Sequence, residues 1–461
     1  MLQRIWSLFS QESPPIDMHA IPCTALDFWA RELFVTNGII VDCRLDAARF
    51  KESISTLVET KFQRAGARFA MRNGTCEFQI PRTFSEEVKP LVFTTDNYAE
   101  TYATPSGGRP AIPVYFRSKT CPVNMKSCLA SRLPILHVHV TTFDDITFIG
   151  ITVSHGLFDG LGTATFLSAW TRLINGEDID NIPGMPLDCA PFEAFAGKPS
   201  AAPPRGWFEL GVFQTLNFGA RMLWKMWRDP KEEMMLICVP KEFVEDQKAS
   251  VMAELQAQNS AEWVGSSDVL LAWFCKTMHH HRDAADPTPI IIHTAVDMRP
   301  LHIWEGGKPL SHPYVHNAMS TITLPPIPAS TLANSSVADL AVQIRRAIKA
   351  YTADLESIKT DAAFRCANPT KLLIPCTPDG EAVIHSNWRS AKFGQLNFAG
   401  AAVDAGAKAT VRSMLAYFPS SIPLRGSSVV LSEDDEMLWM NYIASSQEWE
   451  RIKQSGAVQF I

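Results

Sequence analysis

The sequence predicts an α/β protein built from two large domains. Three observations lead there. Strand-like and helix-like segments alternate along the whole chain. A length of 461 residues exceeds what one hydrophobic core usually supports. Finally, Pro183, Pro186, Pro191, Pro199, Pro203 and Pro204 crowd one stretch, a composition shift that marks a linker. The expected organisation is an N-terminal domain over 1–182, a Pro-rich crossover linker with an aromatic helix over 183–235, and a C-terminal domain over 236–461.

The elements follow in order. Leu45 to Arg64 has the apolar spacing of an amphipathic helix. The runs RFAMRNG and CEFQIPR read as a hairpin turning at Asn73-Gly74. Leu133 to Thr142 and Ile146 to Ser154 read as buried strands joined at Asp144-Asp145, and Thr163 to Ile174 as a helix. In the second half MMLICVP and PIIIHTAVD read as strands. Ser266 or Ser267 is expected to cap a helix from Asp268 to Met278, and Ser335 or Ser336 a long helix reaching Ile358. ATVRSMLAYFP, SSVVLS and EMLWMNYIAS supply closing strands.

Composition narrows the function. Lys plus Arg total 42 against 48 Asp plus Glu, a formal charge of −6 that argues against a nucleic-acid binder. No run approaches the ~18 apolar residues of a membrane span. MLQRIWSLFSQESPP lacks the form of a secretory signal, and GAVQFI carries no retention or peroxisomal tripeptide. The ten cysteines are scattered without a CxxC pair, as expected for reduced thiols in the cytosol, where the sequons at Asn73 and Asn334 stay unused.

The sharpest motif is ITVSHGLFDGLG, Ile151 to Gly162. A β-branched strand delivers His155 to a glycine-rich turn that leads into a helix. Such strand ends are where α/β proteins expose reactive groups. Histidine can act as a base near neutral pH, and Asp159 is placed to fix the turn. A buried, hydrogen-bonded histidine with a turn aspartate is the plain alternative.

TAVDMRP and HPYVHNAM follow. Arg299 stands just after a buried strand and needs an acidic partner, for which Asp159, Asp297 and Glu305 compete. In IHSNWRSAKFGQLNFAGA, Ser386 and Trp388 offer a hydroxyl and an indole N–H to a developing oxyanion, although core packing is the commoner fate of a tryptophan.

Together these segments resemble the BAHD acyltransferases (HxxxD family), in particular the fungal secondary-metabolite branch of trichothecene O-acetyltransferases. The matching residues are His155 to Asp159, VDMR ending at Arg299, Tyr314 to Ala318, and the Trp388 segment, in that order. KFQRAGARF and SSDVLLAWFCK are similar to further family stretches. The resemblance implies two chloramphenicol-acetyltransferase-like domains with mixed sheets and an active-site channel between them. It implies transfer of an acyl group from acyl-CoA, acetyl-CoA first, to a hydrophobic acceptor such as a terpenoid alcohol. No bound cofactor and no metal are expected, and the chain is expected to act as a cytoplasmic monomer. By motif, His155 is the general base, Asp159 a structural partner of Arg299, and Ser386 and Trp388 the oxyanion neighbours. The family's Asp-Phe-Gly-Trp-Gly stands here as Asn397, Phe398, Ala399, Gly400 and Ala401. That departure puts ordinary CoA affinity in doubt and keeps open a relative with cyclisation or elimination chemistry. A peptide-synthetase condensation-type enzyme ranks lower, because Ser154 stands where that family has a second histidine and no carrier segment is present.

Two features remain. His279, His280 and His281 point in different directions on a helix, so they read as an exposed helix end and not a metal site. The segment Arg205 to Asp229 interleaves Trp and Phe with Arg and Lys. It is expected to pack across the domain joint and bury its aromatics, the alternatives being a helix on a membrane or against a greasy substrate.

Overall fold

The computed structural model describes residues 17–72, 74–102, 112–198, 202–419 and 424–454. Both chain-end segments read above lie outside the described residues, as does Asn73 of the hairpin.

Two mixed sheets organise the molecule. In the first, the strand Thr147–Ser154 pairs antiparallel with Phe34–Val41 on one side and His137–Thr142 on the other. Val92–Asn97 adds in parallel beyond His137–Thr142. At the opposite edge, Val411–Tyr417 pairs with Phe34–Val41, so a strand from the second half of the chain completes the first sheet. The helices Ala47–Thr60 and Gly160–Ile174 pack together against this sheet, burying Phe50, Ile54, Phe166 and Trp170 among Ile149 and Ile151. A small sheet of Met18–Pro22, Arg68–Arg72 and Thr75–Pro81 lies beside it, its last two strands forming the expected hairpin.

The second sheet has seven strands. Its centre is parallel: Glu381–Asn387 lies between Pro289–Asp297 and Ser427–Glu433. The remaining pairings are antiparallel, ending at Glu232–Pro240 on one edge and Met319–Thr323 on the other, with Ile327–Pro328 a short addition. Helices Lys241–Ala257, Ser266–His279, Val337–Ala353 and Ser446–Gln454 bury its face. Val35 and Ala416 of the first sheet meet Val429 and Leu431 of the second in a small shared apolar cluster.

Several local expectations change. Gly265, not a serine, caps the helix Ser266–His279, and the Asp268 carboxylate accepts the Gly265 N–H at 2.7 Å. The long helix starts at the Ser336 cap as expected but breaks at Asp354, whose side chain caps a second helix, Leu355–Ala367. His279 is buried and its Nδ1 faces the Cys275 carbonyl at 2.8 Å, so the histidine run is not a free helix end. None of the ten cysteines is disulfide-bonded.

The largest correction concerns the aromatic segment. Val212–Arg228 is a helix with no buried residue. Arg221 and Lys225 hold the Gly380 carbonyl and the Glu381 carboxylate. Those polar anchors hold the helix on the protein, so Phe213, Trp224 and Trp227 point outward instead of filling the domain joint, while Phe218 stays half-buried beside Arg221 and Trp207 donates to Thr321 at 2.8 Å.

Candidate active site

The site is assembled where Thr147–Ser154 ends. Ser154 turns the chain: its hydroxyl donates to the Arg31 carbonyl at 2.8 Å and accepts the Gly156 N–H at 3.0 Å. His155 follows, its N–H bonded to the Leu33 carbonyl at 2.6 Å and its carbonyl accepting from Asn317 Nδ2 at 2.7 Å. The imidazole is half-buried, and its Nδ1 is buried without a hydrogen-bond partner. The backbone is thus fixed on both sides while the ring is not consumed by an internal bond.

Asp159 is turned into the protein and 4% exposed. It caps the helix Gly160–Ile174 through the Gly162 N–H at 2.7 Å, and accepts the Ala318 N–H at 3.0 Å. Arg299 Nη2 donates to both of its oxygens, at 2.8 and 2.9 Å. The same guanidinium reaches Asp297 at 2.8 Å and the carbonyls of Tyr314 and His316 at 2.8 and 2.7 Å. Asp159 and Asp297 therefore both take the arginine, and Glu305 has no share in it. A charge taken out of water needs this degree of satisfaction to be tolerated.

The turn is packed too tightly for side chains. A Cβ on Gly160 would fall 2.5 Å from Nε1 of Trp388, and one on Gly162 only 1.9 Å from the Val315 carbonyl. Trp388 thus lies directly over the HxxxDG turn. It is positioned by the strand Glu381–Asn387, on which His385 is buried and Ser386, the next residue, faces the opposite side at half-burial. The Trp388 N–H continues that strand by bonding to Val430.

Beyond Trp388, a polar cluster sits at the start of the helix Ser266–His279. Asn387 Nδ2 donates to Ser267 Oγ at 3.2 Å, and Arg389 Nη1 stands 3.4 Å from both the Ser266 and Ser267 hydroxyls. A helix N-terminus beside an arginine favours anionic groups. Among the described residues no cluster of His, Cys, Asp and Glu has the makings of a metal site.

Asn397 stands elsewhere. Its carbonyl accepts from Asn175 Nδ2 at 2.8 Å, and Asn175 closes the C-terminal end of the helix that Asp159 caps. At 15 residues that helix is ~22 Å long, which separates Asn397 from the turn. The exposed Asn397 side chain accepts the Ala399 N–H at 2.9 Å, Phe398 packs against Phe50 and Trp170, and Gly400 touches Ile174 where a Cβ would fall 1.9 Å from its carbonyl. The altered segment pins a helix end.

Sequence reasoning passed over Asp27. It is fully buried and receives Asn317 Nδ2 at 2.9 Å, the amide that also holds the His155 carbonyl. Burial pushes its carboxyl up to about 6 against the hydrogen bonds from Asn317 and Thr24. The Thr24-x-x-Asp27 spacing of a capping box was the available signal.

A match to the transferase family spans residues 116–402, over half of the chain. The chain belongs to this family, the BAHD acyltransferases. The O-acyltransferase pboC of Aspergillus ustus is 25% identical across 89% of this chain and 92% of its own length. The acetyltransferase pyiB of Pyricularia grisea is 26% identical, covering 97% of this chain and 92% of its own. F. graminearum TRI101, solved in complex with coenzyme A and T-2 mycotoxin, superposes with a TM-score of 0.70 over 95% of this chain and 97% of its own at 12% identity. Vinorine synthase gives 0.58 over 98% and 96% at 14% identity. These solved structures share the two-domain α/β fold. The BAHD chain described here is an acyltransferase.

Proposed function

We propose that this enzyme transfers an acyl group, acetyl first among candidates, from acyl-CoA to the hydroxyl of a hydrophobic secondary metabolite, in a channel between its two sheets. The observation that carries this reading is the division of labour at the turn. The Asp159 carboxylate is fully engaged by Arg299 and backbone N–H groups, while His155 is held by its backbone with its ring free of internal bonds. His155 Nε2 removes the acceptor proton as that oxygen attacks the thioester carbonyl. The tetrahedral oxyanion is met by the Trp388 indole N–H and the Ser386 hydroxyl. Collapse breaks the C–S bond, and the CoA thiolate leaves with the proton from the imidazolium. Arg389, whose Nε is held by Glu433 at 2.7 Å and whose Nη1 is turned to the serines at the helix start, is suited with them to the donor's phosphates.

Relatives support the choice of donor and acceptor: F. graminearum TRI101 is solved with coenzyme A and a mycotoxin, and pyiB carries the name acetyltransferase. Two domains in one chain complete the site, so a cytosolic monomer suffices.

The test is release of CoA thiol from acetyl-CoA over a panel of hydrophobic alcohols, for the wild type and His155→Ala. Acceptor-dependent release that falls ~10²–10⁴-fold in the variant is the expected result. Turnover within tenfold of wild type in His155→Ala would overturn the base assignment. Absence of any thermal stabilisation by CoA would overturn the donor.

A further inference from the structure

Fourteen large apolar side chains are exposed among the described residues, and half of them sit on one helix. Val212, Phe213, Leu216, Leu223, Trp224, Met226 and Trp227 all belong to Val212–Arg228, with Phe213 88% and Trp227 74% exposed. At ~100° per residue, Val212, Phe213, Leu216, Leu223, Trp224 and Trp227 fall within a sector of about 120°. The helix is inverted relative to an ordinary surface helix. Arg221 and Lys225, on the other side, are turned inward to Gly380 and Glu381. That anchoring fixes which face looks out.

We propose that this helix lies in the plane of a phospholipid membrane surface, with its apolar stripe inserted among the lipids and the enzyme body held above it. The chemistry of the stripe selects this partner. Its two tryptophans, ring centroids 5.3 Å apart, are the residue type enriched at the membrane–water interface. The helix contains no acidic residue and three cations, two of them turned inward. Insertion of the apolar face, and not attraction to anionic headgroups, therefore drives binding to the surface, in a chain whose net charge is −6. A second copy of the protein fits less well: a stable dimer uses roughly 20–30 residues per side, and this helix offers seven exposed apolar side chains. No helix among the described residues is long and apolar enough to cross the membrane, so contact is in-plane. The surface is independent of the acyl-transfer reading, but it would bring the enzyme to where a hydrophobic acceptor partitions.

The test is flotation of the full-length protein with phosphatidylcholine vesicles, with and without phosphatidylserine, for wild type and the double variant W224E/W227E. Wild type is expected to float with pure phosphatidylcholine vesicles, with little change in 0.5 M salt. The variant is expected to lose at least tenfold in partitioning, while its thermal midpoint stays at the wild-type value because both indoles face solvent. Equal flotation of the variant, or no flotation of either protein, overturns the proposal. So does binding that requires phosphatidylserine and disappears in salt. A wild-type dimer in sedimentation velocity that the variant dissolves, without vesicle binding, would assign the stripe to self-association instead.

Discussion

Arg299 Nη2 donates to both carboxylate oxygens of Asp159, at 2.8 and 2.9 Å, tying the helix that follows the HxxxD turn to the strand end that carries Arg299 in the second sheet. The aspartate of the motif is thereby spent on architecture. Of the pair, His155 is the one with a ring nitrogen, Nδ1, that has no hydrogen-bond partner.

Removing either partner leaves the other charge buried, which typically costs about 3–5 kcal/mol. Asp159→Asn keeps the Gly162 cap, and Arg299 keeps Asp297, so the expected loss is near the low end, about 3 kcal/mol. Arg299→Lys should be of similar size, since an ammonium cannot serve two carboxylates and two carbonyls at once. Urea unfolding of both single variants and the double variant checks this. The double variant should cost clearly less than the sum, and additivity would refute the pairing as the source of the loss.

Gly160 and Gly162 should respond differently to alanine. The Gly160→Ala methyl meets the end of the Trp388 indole, which can swing away at ~1–3 kcal/mol. Activity should fall further than stability, because the indole is displaced. The Gly162→Ala methyl meets the Val315 carbonyl at 1.9 Å, and backbone on both sides has nowhere to go. Gly162→Ala is therefore expected to yield little folded protein, and comparable unfolding midpoints for the two variants would contradict this.

Asn397→Asp should change little. The residue is exposed and its Oδ1 accepts from Ala399, which a carboxylate does equally well. Stability within ~0.5 kcal/mol and an unaltered CoA affinity are expected, measured by thermal shift with and without CoA. Gly400→Ala, by contrast, drives a methyl to within 1.9 Å of the Ile174 carbonyl and should be strongly destabilising. A large gain in CoA affinity from Asn397→Asp would show that the departure from the family motif matters for the donor.

Stability should fall on mild acidification. Burial holds His316 down to about 3, and His137, His281 and His385 down to about 4. The unfolded chain protonates its histidines near ~6.5. Between those values it binds protons that the folded chain refuses, so lowering the pH favours unfolding. Asp27 and Asp361, both raised to about 6 by burial, oppose this, because the folded state takes up their protons first. Four histidines against two carboxyls leave a net loss on the order of 2 kcal/mol per pH unit between pH 6 and 5. Urea midpoints at pH 7, 6 and 5 read the slope directly, and a flat profile would count against these neutral buried histidines.

Local patterning made much of the molecule legible from sequence. The strand Thr147–Ser154, the helix beginning beyond Asp159 and the helix starting after Ser336 all follow from residue periodicity and capping chemistry, which act over a few positions. The order of His155, Arg299 and Trp388 was enough to suggest the family. Long-range facts were not legible. Nothing local says that Val411–Tyr417 completes the first sheet, or that Asn317 joins Asp27 to His155.

The sequence by itself therefore determined the α/β class, the strand-to-helix turn that carries His155 and Asp159, and the candidate partners of Arg299, because these rest on short-range pattern and on the need of a buried charge for an opposite one. Only the tertiary structure decided that Arg299 serves Asp159 and Asp297 together, that Asn397 stands a helix length away from the turn, and that Trp224 and Trp227 look outward. An amphipathic pattern specifies that a helix has two faces. Which face meets the protein depends on what lies opposite, and here Glu381 and the Gly380 carbonyl claimed the cations.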